Sequence, residues 1–175
     1  MAANGVIRYL ALALFALTAA SSGASAPIAD EPTIDHQPVE CSVPSKNPRI
    51  CSYVLDDGEV KRVRVYFRSN RQDAYYWSDM TFDGIQFCAT LPVAKGYVTV
   101  IDYYVWAVDD EFQTTRSRPH EISMKQSASC SYPVIDEDPQ RIKNLVVNAT
   151  SANQGDELRD FEEQGVTRFV PAKKR

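Results

Sequence analysis

A chain of 175 residues suits one domain with an extension, or at most one and a half. Its 19 Lys and Arg stand against 23 Asp and Glu, a net charge of −4, and this excludes a general nucleic-acid binder, which needs a basic footprint. The four cysteines raise the question of compartment.

The first residues read as an address. Arg8 precedes an apolar run, residues 9–20, and then the small residues SSGASA, the pattern of a cleaved secretory signal. The run is shorter than the roughly 20 residues a membrane-spanning helix needs. Cleavage after Ala24 fits a small-x-small rule, whereas the alternative after Ala26 would place the rigid ring of Pro27 directly behind the cut. Residues 1–24 are therefore expected to be a leader. Loss of Arg8 with them leaves 18 basic and 23 acidic residues, a net charge of −5. The expected destination is the periplasm, the cell surface or the medium, with no transmembrane segment after processing. In an exported chain an even cysteine count implies two disulfides, with three pairings open.

Residues 25–32 form an extended lead-in, because Pro27 and Pro32 begin a proline-dense stretch that continues through Pro38, Pro44 and Pro48. An edge strand is expected at 33–41. Residues 49–55 (RICSYVL) give a second strand, stopped by Asp56-Asp57-Gly58. Residues 60–68 (VKRVRVYFR) alternate with Val63, Val65 and Phe67 inward. Residues 74–82 have strand composition but no clear alternation, and 85–91 give the next strand before Pro92.

The strand at 98–109 organises the rest. Ile101, Tyr103, Val105 and Ala107 share one face, and Asp102, Tyr104 and Trp106 the other. Its almost wholly apolar and aromatic composition predicts a central, flanked position. A last strand is expected over 114–124, interrupted at Pro119. About seven strands, with turn signals every eight to twelve residues, predict an all-β antiparallel sandwich. Beyond residue 130 the patterning thins. A short helix is expected near 136–145, capped by Asp136 or Asp138 with Pro139 at its first position. Another is expected at 156–164, docked only by Leu158 and Phe161. The folded unit is thus expected to be 33–130, with 131–175 an irregular, partly helical tail adding little stability.

VKRVRVYFR as third strand, IDYYVWAVDD as sixth and TTRSRP opening the seventh resemble immunoglobulin-like and fibronectin type III-like domains. More narrowly, the chain is similar to exported bacterial proteins of uncharacterised function with a lone sandwich and a trailing tail. The resemblance implies a seven-stranded sandwich over 33–130 but no activity, because the architecture hosts many functions. It also implies that the second and fifth strands are antiparallel neighbours, which favours Cys51–Cys88, and that the first and last run side by side, which favours Cys41–Cys130. The rival pairing is Cys41–Cys51 with Cys88–Cys130. The sixth strand holds no cysteine, so the antibody inter-sheet bridge does not carry over.

Chemistry is sparse. His36 and His120 fall in the first and last strand regions, too few for a metal site without a third ligand. Asp56-Asp57 and Asp109-Asp110-Glu111 lack the spacing of a calcium loop and read as turns. No serine elbow, free thiol or phosphate loop is present, so no catalytic residue, cofactor or metal is assigned, and the chain is expected not to be an enzyme. Asn148-Ala149-Thr150 matches a glycosylation acceptor. The alternation places Arg62, Arg64, Tyr66 and Arg68 beside Tyr104 and Trp106, with Arg116 or Arg118 alongside, on the outer face of one sheet. That face is a stacking and cation–π surface for a protein or polysaccharide partner, unless the tail folds back over it or it is a solvated cross-strand ladder. The expected function is an exported, non-catalytic binding module. Its alternatives are an envelope spacer or accessory subunit docking through the tail, which ends in Lys173-Lys174-Arg175, and, third, a carbohydrate-active enzyme.

Overall fold

The computed structural model describes residues 30–125, 129–130, 134–155 and 157–173; the expected leader and residues 25–29 lie outside them. Among these residues twelve strands, one short α-helix and a 3-10 turn follow in order: β1 (Thr33–Asp35), β2 (Cys41–Ser42), β3 (Arg49–Leu55), β4 (Val60–Ser69), β5 (Tyr76–Asp79), β6 (Thr81–Phe82), β7 (Phe87–Thr90), β8 (Val100–Asp109), β9 (Thr114–Arg116), β10 (His120–Met124), α1 (Pro139–Ile142), β11 (Leu145–Ala149), the 3-10 turn Ala152–Gln154 and β12 (Val166–Val170). They build an all-β sandwich. One sheet has the order β1-β3-β7-β6, and the other β12-β11-β5-β4-β8-β10-β2, with β9 also on β8.

The pair β4 and β8 is the spine of the larger sheet. Nine antiparallel partners run from Val60↔Asp109 to Ser69↔Ile101, including Val65↔Val105 and Tyr66↔Tyr104. Strict alternation sorts the side chains: Val63, Val65, Phe67, Ile101, Tyr103, Val105 and Ala107 are buried on the inner face, and their neighbours are half-exposed outside. Ile50 and Val54 of β3 and Ala89 of β7 face them from the smaller sheet.

Three expected strands are divided. The edge strand at 33–41 is two pieces in different sheets: β1 pairs antiparallel with β3, whereas β2 pairs parallel with β10. Between them His36, Gln37 and Pro38 carry the chain from one sheet to the other, and proline suits such a break because it cannot donate to a ladder. Residues 74–82 divide into β5, paired with β4, and β6, paired with β7. Met80 sits at the crossing, its N–H bonded to the Val63 carbonyl (2.8 Å) and its side chain buried. Pro119 separates β9 from β10, as its missing N–H requires.

The segment after residue 130 is not the irregular tail expected from sequence. Asp138 caps α1 by accepting from Gln140 N–H, with Pro139 opening the helix, but the helix is only one turn. The chain then adds β11 to β5 and β12 parallel to β11, so the larger sheet grows by two strands. No helix forms at 157–164. Leu158 and Phe161 instead insert into the core at 2% and 0% exposure, with Phe161 edge-on to Phe67 at 5.3 Å and to Tyr76 at 6.0 Å. Burying these two large apolar side chains contributes about 1.5–3 kcal/mol each, without the short helix over 156–164 that was expected to carry them.

Cys41 is bonded to Cys130 and Cys51 to Cys88. The second bridge joins residues directly opposite on β3 and β7, with Cα atoms 4.1 Å apart. The first spans 89 residues and ties β2 to the chain leaving β10. Two bridges point to an oxidising, extracytoplasmic compartment. Among the described residues no helix is long and apolar enough to cross a membrane.

Candidate functional site

The outer face of the larger sheet gathers most of the residues singled out in the sequence. β4 offers Arg62, Arg64, Tyr66 and Arg68 at successive outward positions. β8 sets Trp106 opposite Arg64, Tyr104 opposite Tyr66 and Asp102 opposite Arg68. β9 adds Arg116 opposite Trp106. Arg118 stands apart from this group at the rim, where its charge helps burial lower the pKa of His120.

Two aromatic residues of this face have no clear signal in the alternation of 74–82. Trp77 lies opposite Tyr66 on β5, and Tyr75 just precedes that strand. Their spacing with Asp79 (75, 77, 79) places all three on one face, and that period-two set was the sequence signal for them.

Arg64 and Arg68 are each held twice, by a ring and by an oxygen. The Arg64 guanidinium lies 3.7 Å from the Trp77 ring centre and 5.6 Å from that of Trp106, while Nε donates to Asp79 Oδ1 at 3.1 Å. Arg68 covers the Tyr75 ring at 4.7 Å, donates to Asp102 Oδ2 at 3.0 Å and reaches the Asp73 carbonyl. Tyr66 and Tyr104 stack with ring planes 3° apart and centres 4.9 Å apart, and Tyr75 meets Tyr104 edge-on at 5.1 Å. Burial raises the Tyr104 pKa, the neighbouring phenols of Tyr66 and Tyr75 add to this, and Arg116 opposes it. Tyr104 therefore remains a neutral hydroxyl at physiological pH.

Among the described residues the tail does not fold over this face: β11 and β12 extend the sheet in its own plane and Leu158 and Phe161 turn inward. The side chains form a cross-strand ladder, in which the guanidinium groups of Arg64 and Arg68 lie over rings and the tyrosine rings pack on one another. Packing of this kind removes most of the side-chain entropy cost that a partner would otherwise meet. Asn148 of the acceptor motif lies within β11 opposite Trp77, half-buried, with its amide donating to the Trp77 carbonyl at 3.4 Å.

The other candidates do structural work. His36 and His120 do meet, with ring centres 5.1 Å apart. His36 uses both nitrogens, Nδ1 toward the Cys51 carbonyl (2.9 Å) and Nε2 toward the Tyr103 hydroxyl (2.8 Å). Among the described residues no group of three His, Cys, Asp or Glu is placed to hold a metal. The acidic turns bond backbone: Asp56 accepts from Gly58 N–H, Asp110 from Glu59 N–H and Asp109 from Gln113 N–H. A Cβ at Gly58 would lie 2.8 Å from Asp110 Oδ1, so that carboxylate would have to shift. Asp136 receives Arg141 through two bonds of 2.8 Å, and also the Thr90 hydroxyl. Burial works against its charge, yet these donors hold its pKa down at about 2. Two grooves flank the sandwich, the second of them bordering the ladder at Asp79. One of about 720 Å³ runs beside Val39, Cys41 and Arg49, and another of about 620 Å³ lies between Phe82, Thr90 and Arg141.

No protein-family model matches the chain, and no curated protein matches it. Among solved structures it is similar to an engineered protein of the Northeast Structural Genomics Consortium, at 16% identity and a TM-score of 0.41, covering 54% of this chain and 20% of that one. It is also similar to a point mutant of the SrpA adhesin from Streptococcus sanguinis, at 12% identity and a TM-score of 0.40, covering 61% of each chain. The chain thus spans about a fifth and three fifths of these two neighbours.

Proposed function

We propose that this protein is an exported, non-catalytic binding module that engages its partner through the outer face of the larger sheet. The observation that carries the reading is the Arg64 guanidinium held between Trp77 and Trp106 beside the stacked Tyr66 and Tyr104. Trp, Tyr and Arg are the residues that dominate binding energy at interfaces, and here they are ordered before any partner arrives. The sheet order β1-β3-β7-β6 facing β5-β4-β8-β10 supports an immunoglobulin-like or fibronectin type III-like scaffold, lengthened at one edge by β11 and β12.

The test is differential capture by the full mature chain from envelope extract and from immobilised envelope polysaccharide. The variant Arg62→Glu with Arg116→Glu alters exposed positions of the face, while Asp57→Lys with Glu111→Lys alters the acidic turns. Capture lost in the first variant and kept in the second, with both melting like the parent, is the expected outcome. The reverse pattern moves the site to the turns and overturns the reading.

A further inference from the structure

Besides those spaced along β4, arginines of the outer face also line up across the strands. Arg168 of β12 pairs with Val146 of β11. Both point outward, since their neighbours Val147 and Phe169 pack in the core. Val146 falls in line with Asp79, two positions from the Asn148–Trp77 pair. Asp79 is opposite Arg64, Arg64 opposite Trp106, and Trp106 opposite Arg116. Arg62 joins the row through Asp79, at 3.9 Å. At about 4.8 Å per strand the row from Arg168 to Arg116 is roughly 24 Å long.

We propose that this row is a track for a linear, carboxylate-bearing polysaccharide laid across the strands. The inference rests on the reading that the outer face is the binding surface, and it names the ligand class. Charge is the first argument. Arg62, Arg64, Arg116 and Arg168 face Asp79 alone within the row, in a chain whose net charge is −4. The exposed carboxylates of Asp57, Asp110 and Glu111 cluster instead at the turns that end the sheet. An anionic polymer is drawn to the row and repelled from that end.

Hydrogen-bonding capacity is the second argument. Arg64 spends Nε on Asp79, leaving its outer nitrogens as donors. Tyr66 and Tyr104 lie in the adjoining row and Tyr75 in the one beyond it, and among the described residues none of their hydroxyls is bonded to another protein group. The ring faces themselves are occupied by guanidinium groups and by one another. A polypeptide partner brings one neutral carbonyl acceptor and, proline apart, one N–H donor with every residue, and would seek apolar pockets for its anchors. A uronate chain brings at every unit a charged carboxylate and a ring oxygen that only accept, with hydroxyls that can do either.

The experiment follows Trp77 and Trp106 fluorescence and calorimetric binding of the full mature chain with three probes: polygalacturonate, neutral galactan and poly-L-glutamate. Polygalacturonate is expected to bind about tenfold or more tightly than either of the others, and about tenfold more weakly at 0.5 M than at 0.05 M salt. Arg116→Glu with Arg168→Glu is expected to weaken binding at least about tenfold, and Arg116→Gln with Arg168→Gln to weaken it less, a graded response that misfolding would not give. Poly-L-glutamate binding as tightly assigns the row to an acidic protein and overturns the proposal. Equal binding of galactan, or binding indifferent to Arg116 and Arg168, overturns it as well. Absence of polygalacturonate binding while the Arg62 and Arg116 variant still loses partner capture removes the ligand class but keeps the face. Absence of binding with capture intact removes both.

Discussion

The Tyr103 hydroxyl lies 2.8 Å from His36 Nε2 and accepts the Val39 N–H at the same distance, so one phenol on β8 fixes the segment that crosses between the sheets. Because that oxygen already accepts from the backbone, its proton goes to Nε2, and the Nδ1 proton of His36 goes to the Cys51 carbonyl. The neutral imidazole completes this relay, giving the Tyr103 proton an acceptor. Burial lowers the His36 pKa, the Cys51 carbonyl opposes the shift, His120 deepens it and Asp35 opposes it. His120 is lowered by burial and then by Arg118.

These shifts set the sign of a pH dependence. With both folded pKa values below the ordinary 6.5, the unfolded chain takes up protons first as pH falls. Stability is then fully present above about 6.5 and declines as pH drops through the lowered folded values. Melting temperatures from pH 8 to pH 5 are expected to fall, and His36→Asn with His120→Asn is expected to flatten that slope. A slope unaltered by the pair would place the acid sensitivity in other groups. Burial raises the Tyr103 pKa to about 12, so the phenol stays protonated throughout. Tyr103→Phe strands one donor and one acceptor and is expected to cost about 1–3 kcal/mol in denaturant unfolding.

Phe161→Ala is expected to destabilise the protein by about 3–5 kcal/mol, because a ring with no exposure is deleted between Phe67 and Tyr76. A chain ended at Tyr132 would lose β11, β12, Leu158 and Phe161 together and is expected to melt far below the full mature chain, or not to fold. An unchanged midpoint for either would return the segment after residue 130 to the status of an appendage.

Gly165→Ala tests the turn that leads into β12. The residue has φ +82°, and a Cβ there would lie 1.9 Å from the Ile142 carbonyl oxygen. Positive φ alone costs an L-residue about 1 kcal/mol, and a contact with backbone cannot be relieved by rotating a side chain. The expected loss is therefore larger than 1 kcal/mol, read as an earlier urea midpoint with unchanged m-value.

Arg64→Ala is expected to cost about 1–2 kcal/mol, since its side chain is only 18% exposed and loses two indole contacts with the Asp79 pair. Arg116→Ala, at an exposed position, is expected to change stability by less than about 0.5 kcal/mol. The contrast separates the arginine that organises the ladder from one that borders it.

The alternation of β4 and β8 made the centre of the fold legible, because ten-residue strands with one buried face leave a long period-two record. It also placed Arg64, Tyr66, Tyr104 and Trp106 together. The two added strands left no such record. β11 and β12 are five residues each, they pair in parallel across a long connection, and Thr167 and Arg168 interrupt the apolar pattern of the second. Leu158 and Phe161 read as a weak helical pair because their spacing is that of a helix. The left-handed backbone of Asp160 (φ +62°) and its bonds to Ser69, Gln72 and Tyr97 instead turn both side chains inward. Such long-range partners are invisible in local pattern.

Neither disulfide joins a strand of one sheet to a strand of the other. Cys51–Cys88 lies wholly within the smaller sheet, and Cys41–Cys130 fastens an edge of the larger one to the chain that departs from it. What resists sliding of one layer over the other is interlocked apolar side chains, not covalent bonds. Thiol reagents and chaotropes therefore act on different joints of this protein, the first loosening connections within a layer and the second parting its layers.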